Sequence, residues 1–268
     1  MKELLKQLVD SASNSSHAKL LAREYLQARL LQILQDEGAF VNWAFQGGTA
    51  LRFLFSLNRF SEDLDFALID KIKDDKFKKI LTRVKKRFEA ETYVVLINIK
   101  DSKVVKSAFI KFPGLLYELG LSTHQNARFS IKIEIDTQPP EGAVITSSVI
   151  RRHVILNIAH YDKASLLAGK LHALLARKYT KGRDIYDLAW YLADPTWPEP
   201  NFQFLNNALK QTKWQGQKIN QNNWRNVLLS RLAQIDWKAV VADVRPFLER
   251  QEDIMLVNRN VIEKFLNK

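Results

Sequence analysis

Two aspartates one residue apart, Asp63 and Asp65, carry the plainest chemistry in this chain, and a glycine pair, Gly47 and Gly48, lies a short way upstream of them. On a strand, an Asp-x-Asp sends both carboxylates to one face, because side chains alternate with period two. Leu64 and Phe66 then point the other way, into a core. Two hard oxygen ligands that project together suit Mg²⁺ when the ion must also hold substrate phosphates. The glycines fit the same substrate. Without a Cβ the backbone can approach a triphosphate closely, and the helix start that continues into Thr49 offers free N–H groups to phosphate oxygens. Either half alone is commonplace, a helix start or a solvated strand edge. Their order and spacing together point to metal-assisted chemistry on a nucleoside triphosphate.

The elements that must position these groups can be read from periodicity. Residues 15–36 carry apolar side chains at helical spacing and predict an amphipathic helix, with Gly38 as its stop. A short strand over 41–45 leads into the glycines, a helix follows over 49–57, and 63–68 is the next strand. Residues 76–89 predict a helix with an apolar stripe of Phe77, Ile80, Leu81, Val84 and Phe88. Strands follow over 93–99, 104–112 and 129–136, with one more over 149–156. Beyond about residue 160 only helices are expected, over 162–179, 184–193, 201–211, 222–234, 237–248 and 257–265. The fold class is therefore α+β, with a domain of mixed sheet over 1–158 and an all-helical domain over 159–268 that completes a cleft for substrate.

A third acid is available on one of these strands. In the segment 129–136, Ile131, Ile133 and Ile135 face a core while Lys132, Glu134 and Asp136 share the opposite side. A two-metal phosphoryl-transfer site needs more carboxylate than one Asp-x-Asp provides, so Glu134 is the first choice for the third acid and Asp136 the second. Farther on, Lys163, Lys170 and Arg177 recur every seven residues and line one helix face, where a point charge can neutralise a triphosphate. Asp184 stands where the next helix starts and, by position alone, reads as its N-cap.

Bulk composition narrows the setting. The 268 residues include no cysteine, which excludes disulfides, thiolate zinc sites and thiol nucleophiles. The five histidines show no tight metal-ligand spacing and read as core or surface residues, His172 being the one that merits watching. No window approaches a membrane span and the N-terminus lacks a secretory apolar core, so a cytosolic protein is expected. The formal charge is +12, and it is clustered: residues 71–87 hold nine basic side chains against Asp74 and Asp75, and residues 164–183 hold five with no acid. Such an excess favours a polyanionic partner, RNA or DNA.

These blocks resemble the AbiEii/MenT-like nucleotidyltransferase toxins of type IV toxin-antitoxin systems. The resemblance rests on Gly47-Gly48-Thr49-Ala50-Leu51, on Arg59-Phe60-Ser61-Glu62-Asp63-Leu64-Asp65-Phe66, on Ile131-Lys132-Ile133-Glu134-Ile135, and on Lys170 with Arg183-Asp184-Ile185-Tyr186-Asp187-Leu188. It implies a polymerase-β-like nucleotidyltransferase lobe with a mixed sheet, joined to a helical lobe. It also implies that Asp63 and Asp65 are ligands of Mg²⁺, that Lys170 contacts the nucleotide phosphates and that Asp184 belongs to the active site, while the residues themselves put forward Glu134 as the third metal ligand and Gly47, Gly48 and Thr49 as the NTP-binding turn. The expected reaction moves a nucleoside monophosphate from an NTP to an RNA acceptor, foremost the 3′ end of tRNA, and a cognate antitoxin is the expected protein partner. One departure from many nucleotidyltransferases is Gly47-Gly48 in place of Gly-Ser, with Thr49 as the nearest hydroxyl. Two other readings share the residues: transfer to a protein hydroxyl, and a non-catalytic domain of the same fold that binds RNA or a partner.

Overall fold

The computed structural model describes residues 2–70, 76–102 and 104–267. The first part of the chain runs α1 (Lys2–Asp10), α2 (Ser15–Asp36), a 3-10 turn (Ala39–Val41), β1 (Trp43–Gln46), α3 (Gly47–Phe55), β2 (Leu64–Leu68) and α4 (Lys76–Ala90). It continues with β3 (Leu96–Asp101), β4 (Val105–Lys111), α5 (Leu115–Glu118), β5 (Ser130–Asp136), β6 (Ile145–Arg152) and β7 (Val154–Tyr161). The rest is helical: α6 (Lys163–Ala176), α7 (Gly182–Ala193), α8 (Phe202–Gln211), α9 (Trp224–Leu232), α10 (Trp237–Val244) and α11 (Arg259–Leu266). The expected α+β class, with a mixed sheet followed by helices, is what the chain forms.

The seven strands lie in the order β3-β4-β5-β2-β1-β7-β6. The pairs β1/β2, β4/β5 and β3/β4 are antiparallel, whereas β2/β5 and β1/β7 are parallel. Contacts divide the chain into two units. One comprises Met1–Leu54, Ser61–Gln138 and Ser147–His160, the other Phe55–Phe60, Pro139–Thr146 and Tyr161–Lys268. The first unit is built on aromatic packing across its sheet: the Phe45 and Phe66 rings are 5.2 Å apart, Trp43 and Phe66 5.8 Å, and Phe88 and Phe112 5.1 Å. In the second unit, the start of α7 sits so close to α10 that a Cβ on Gly182 would meet the Val240 carbonyl oxygen at 2.0 Å. Only glycine permits that approach.

Two local expectations are corrected. Helix α2 is not amphipathic but central: Ala18, Ala22, Tyr25, Leu26, Ala28, Leu30, Leu31, Ile33 and Leu34 are buried, and so are Glu24 and Gln27. It begins on Asn14, whose side chain accepts from the His17 amide at 2.9 Å. The single strand expected over 149–156 is instead the β6–β7 hairpin, which turns at His153 with φ of 60°. No glycine or asparagine signals this turn, because a histidine takes the left-handed conformation usually left to those residues.

What holds that turn is a buried ion cluster in the first unit. Glu24, 4% exposed, accepts from Arg52 Nε at 2.6 Å and Arg152 Nη2 at 3.1 Å, and lies 3.1 Å from His153 Nε2. Burial raises the cost of its charge, but His153, Arg52 and Arg152 outweigh that and pull its carboxyl from 4.5 down to about 2. A carboxyl depressed in the folded state stabilises above its unfolded value and loses that contribution as pH falls through the folded one. Denaturant titrations of the wild-type protein and Glu24→Gln are therefore expected to differ at pH 6 and to converge as pH falls through the interval from 4.5 to about 2. A difference that stays constant across this interval would show that Glu24 is not a paired charge.

Candidate active site

Helix α3 starts at Gly47 itself, two residues ahead of the expected Thr49, directly off the end of β1. Gly47 has φ of 78°, a left-handed conformation that glycine adopts without strain. The β1–β2 register sets Gln46 opposite Asp65, and a Cβ on Gly47 would lie 2.6 Å from Asp65 Oδ2. The glycine turn is thus pressed against the Asp-x-Asp strand. Gly48 is buried in the first turn of α3, and the fully buried Thr49 hydroxyl donates to the Asp63 carbonyl. That bond ties the helix start to the entry of β2, so what Thr49 can offer a phosphate is its backbone N–H.

On β2, Asp65 is half-buried between the buried Leu64 and Phe66. In the parallel β2–β5 pairing Asp65 lies beside Glu134, and Ala67 beside Asp136. Adjacent strands are about 4.8 Å apart, so Asp65 and Glu134 project side by side. Glu134 is therefore the acid next to the pair. Asp136, one step farther along, accepts from the Gln138 amide at 2.9 Å, and burial pushes its carboxyl up. Two cations share the acidic face. Lys132 pairs with Glu134, and Arg23, whose guanidinium donates to the Ser130 carbonyl at 2.7 Å, feels the charges of Glu62 and Asp63.

The second unit holds a separate group of charges. Arg59 and Asp187, 2% and 0% exposed, form a forked pair in which Nε and Nη2 each donate at 2.6 Å. Lys170 reaches Asp187 at 2.6 Å and Asp184 at 2.9 Å, and Arg177 also pairs with Asp184. Burial alone would push the Lys170 ammonium down, but Asp184 and Asp187 hold it above its ordinary value. Burial likewise opposes the Asp184 charge, yet Lys170 and then Arg177 keep its carboxyl below the usual range. Three cations face two acids in this group, the third, Arg177, being exposed.

The N-cap reading of Asp184 does not hold. Lys181 is the cap residue of α7, and the Asp243 carboxylate takes the Gly182 and Arg183 amides at 2.7 and 3.4 Å. The lysine stripe also divides: Lys163 lies over the Trp197 ring at 4.5 Å, whereas Lys170 and Arg177 enter the ion group. His172 sits 3.1 Å from the Thr212 hydroxyl, and burial lowers its pKa.

The basic runs have different fates. Of the first, residues 71–75 lie outside the described residues, and the remainder forms α4 with Lys76, Lys78, Lys79, Arg83, Lys86 and Arg87 exposed. The second is split: Lys170 is enclosed among acids and Arg183 lies over the Phe247 ring at 4.3 Å, whereas Arg177 and Lys178 are exposed.

The donor set suits Mg²⁺: Asp65 and Glu134 are hard carboxylates on adjacent strands, Asp63 just precedes β2, and the missing Cβ of Gly47 leaves room beside Asp65, so the residues fit the ion. Among the described residues, however, no three acidic or histidine side chains converge as a ready metal site.

A mixed sheet that carries an Asp-x-Asp strand against a glycine helix start, followed by a helical region, is the architecture of a nucleotidyltransferase. The sequence profile of the nucleotidyl transferase AbiEii toxins of type IV toxin-antitoxin systems matches residues 29–259, and the chain belongs to that family. Among solved structures it is similar to MenT4, a nucleotidyltransferase toxin of Mycobacterium tuberculosis H37Rv, with 15% identity, a TM-score of 0.53, and 100% of this chain and 90% of that one covered. JHP933 from Helicobacter pylori matches with 22% identity, a TM-score of 0.51, and 92% and 93% of the two chains covered. A further H. pylori protein, described as a nucleotidyltransferase, matches with 19% identity and a TM-score of 0.51 over 90% of this chain and 95% of its own. At these identities the structures bear on the fold alone. No curated protein is significantly similar in sequence. Among the described residues no helix is long and apolar enough to cross a membrane.

Arg59, Asp187 and Lys132 were not singled out from sequence. Asp187 had a visible signal, since Asp184 and Asp187 are spaced to share one helix face. Arg59 opens one of the family-like blocks, but nothing in the sequence marks its counter-ion, which lies 128 positions away.

Gly47→Ala tests the turn. A left-handed alanine costs about 1–2 kcal/mol, and its Cβ would displace the Asp65 carboxylate. Steady-state transfer assays are expected to show a loss of about 100-fold, as small misplacements in a site can cost. Melting should drop by only a few degrees.

Proposed function

We propose that this enzyme transfers a nucleoside monophosphate from an NTP to a hydroxyl of RNA, foremost the 3′ end of tRNA, with release of pyrophosphate. The observation that carries the reading is the side-by-side placement of Asp65 and Glu134 on β2 and β5, with Gly47 pressed against Asp65. Asp63 and Asp65 would hold Mg²⁺, which supplies Lewis-acid neutralisation of the phosphates when bound. The amides at the start of α3, from Gly47 to Thr49, receive phosphate oxygens. Glu134 completes the ion's site or takes the proton of the attacking hydroxyl, while the acceptor oxygen attacks the α-phosphorus and the pyrophosphate oxygen leaves in line. Family resemblance assigns Lys170 to the nucleotide phosphates and Asp184 to the active site.

RNA as the acceptor is supported by the +12 charge and by the exposed basic face of α4. Such a face binds the phosphate backbone without reading sequence, so binding should weaken steeply with salt. Membership of a type IV toxin-antitoxin family supports a cognate antitoxin as partner. The test incubates the protein with each labelled NTP separately, in the presence of total tRNA or of cell lysate, with Asp65→Ala as the blank. Label on tRNA from one NTP supports the reading. Label on protein alone makes the acceptor a protein hydroxyl, and growth inhibition that survives Asp63→Ala would make the toxin non-catalytic.

A further inference from the structure

The acidic face contains its own cation. Lys132 and Glu134 alternate with the buried Ile131, Ile133 and Ile135 on β5, so both side chains lie on the side that carries Asp65. The β2–β5 register sets Leu64 beside Ile133 and Asp65 beside Glu134, and Asp63 immediately precedes Leu64 at the start of β2. The ammonium is not turned out to solvent: Lys132 and Glu134 are 30% and 34% exposed and form an ion pair.

A site for two divalent ions about 3.5–4 Å apart needs a carboxylate that can bridge or cap the second ion. Glu134 is the acid nearest the pair, and it is engaged by an ammonium. We propose that Lys132, anchored by Glu134, takes the place of a second metal, so that the face binds one divalent cation, held by Asp63 and Asp65. Lys132 then supplies a fixed positive charge beside that ion, and Glu134, which anchors it, is left for the second of its two roles, taking the proton of the attacking hydroxyl. This deepens the metal-dependent reading above and rests on it.

The test counts Mn²⁺ on the full chain in complex with a non-hydrolysable NTP analogue, by equilibrium dialysis and by the spin coupling that two close Mn²⁺ ions show in electron paramagnetic resonance. The wild-type protein is expected to bind one Mn²⁺ with an uncoupled spectrum, lost in Asp65→Asn. Glu134→Gln is expected to keep that single ion, and Lys132→Met to admit a second with a coupled spectrum. Two coupled ions in the wild-type protein would overturn the proposal while leaving the metal-dependent reading intact, as would a Lys132→Met protein that still binds only one. No Mn²⁺ binding that depends on Asp65 would overturn both.

Discussion

Asp65→Ala is expected to reduce nucleotidyl transfer by about 10³-fold or more while leaving the fold as stable as before. A metal ligand in phosphoryl transfer contributes several kcal/mol of charge stabilisation, and each 1.36 kcal/mol is a decade in rate. Stability is expected to change little. Asp65 is half-buried beside Glu134 and next but one to Asp63, so like charges gather on one face, and Lys132 and Arg23 on the same face offset them. Removing one carboxylate trades some repulsion for some attraction, and the unfolding midpoint should stay close to that of the wild type. The two readouts separate a catalytic role from a structural one. Single-turnover rates within tenfold of wild type, or a collapse in stability, would remove Asp65 from the proposed site.

The opposite signature is expected of Asp187→Ala. Asp187 is fully buried and accepts both arms of the Arg59 fork as well as Lys170. Its removal leaves Arg59 buried without a counter-ion, a class of change that costs about 3–5 kcal/mol. Trp190 and Trp197, with rings 4.8 Å apart in the same unit, supply a fluorescence signal for the transition. Arg59→Met combined with Asp187→Leu should recover most of the loss, because an apolar pair of similar volume avoids the desolvation of both charges. A single-variant cost under about 1 kcal/mol would place the pair in water instead. The same cluster sets a pH dependence. The Asp184 carboxyl is held low by Lys170 and Arg177, so its contribution is complete above the unfolded carboxylate value and fades in acid. The Lys170 ammonium is held high by Asp184 and Asp187, so its contribution fades only in strong alkali.

The contrast between these residues shows what could be read in advance. Alternation along residues 129–136 put Lys132, Glu134 and Asp136 on one side of a strand, and β5 has that pattern. It could not choose between Glu134 and Asp136, because the choice depends on the β2–β5 register, which pairs residues 69 positions apart: Asp65 with Glu134. The apolar stripe of residues 76–89 likewise foretold α4. The hairpin at His153 was hidden because its positive φ is held by Glu24, on a helix remote in sequence, and not by a local turn residue. Asp184 looked like a cap because caps are local, and lost that role to Asp243, which arrives from α10.

Sequence by itself determined the glycine turn, the Asp-x-Asp face, the acid-bearing strand and the family, since each depends on periodicities and spacings within a few residues. Tertiary structure alone decided where the charges go. Arg59 adjoins the Asp-x-Asp block in sequence, yet it belongs to the second unit and is buried against Asp187. Lys132 reads as an ordinary wet-face lysine, yet it is paired with Glu134 on the face that carries Asp65. The physical reason is one of range: a side chain's face is set by backbone geometry between neighbours, whereas its counter-ion is set by which distant segment desolvates it.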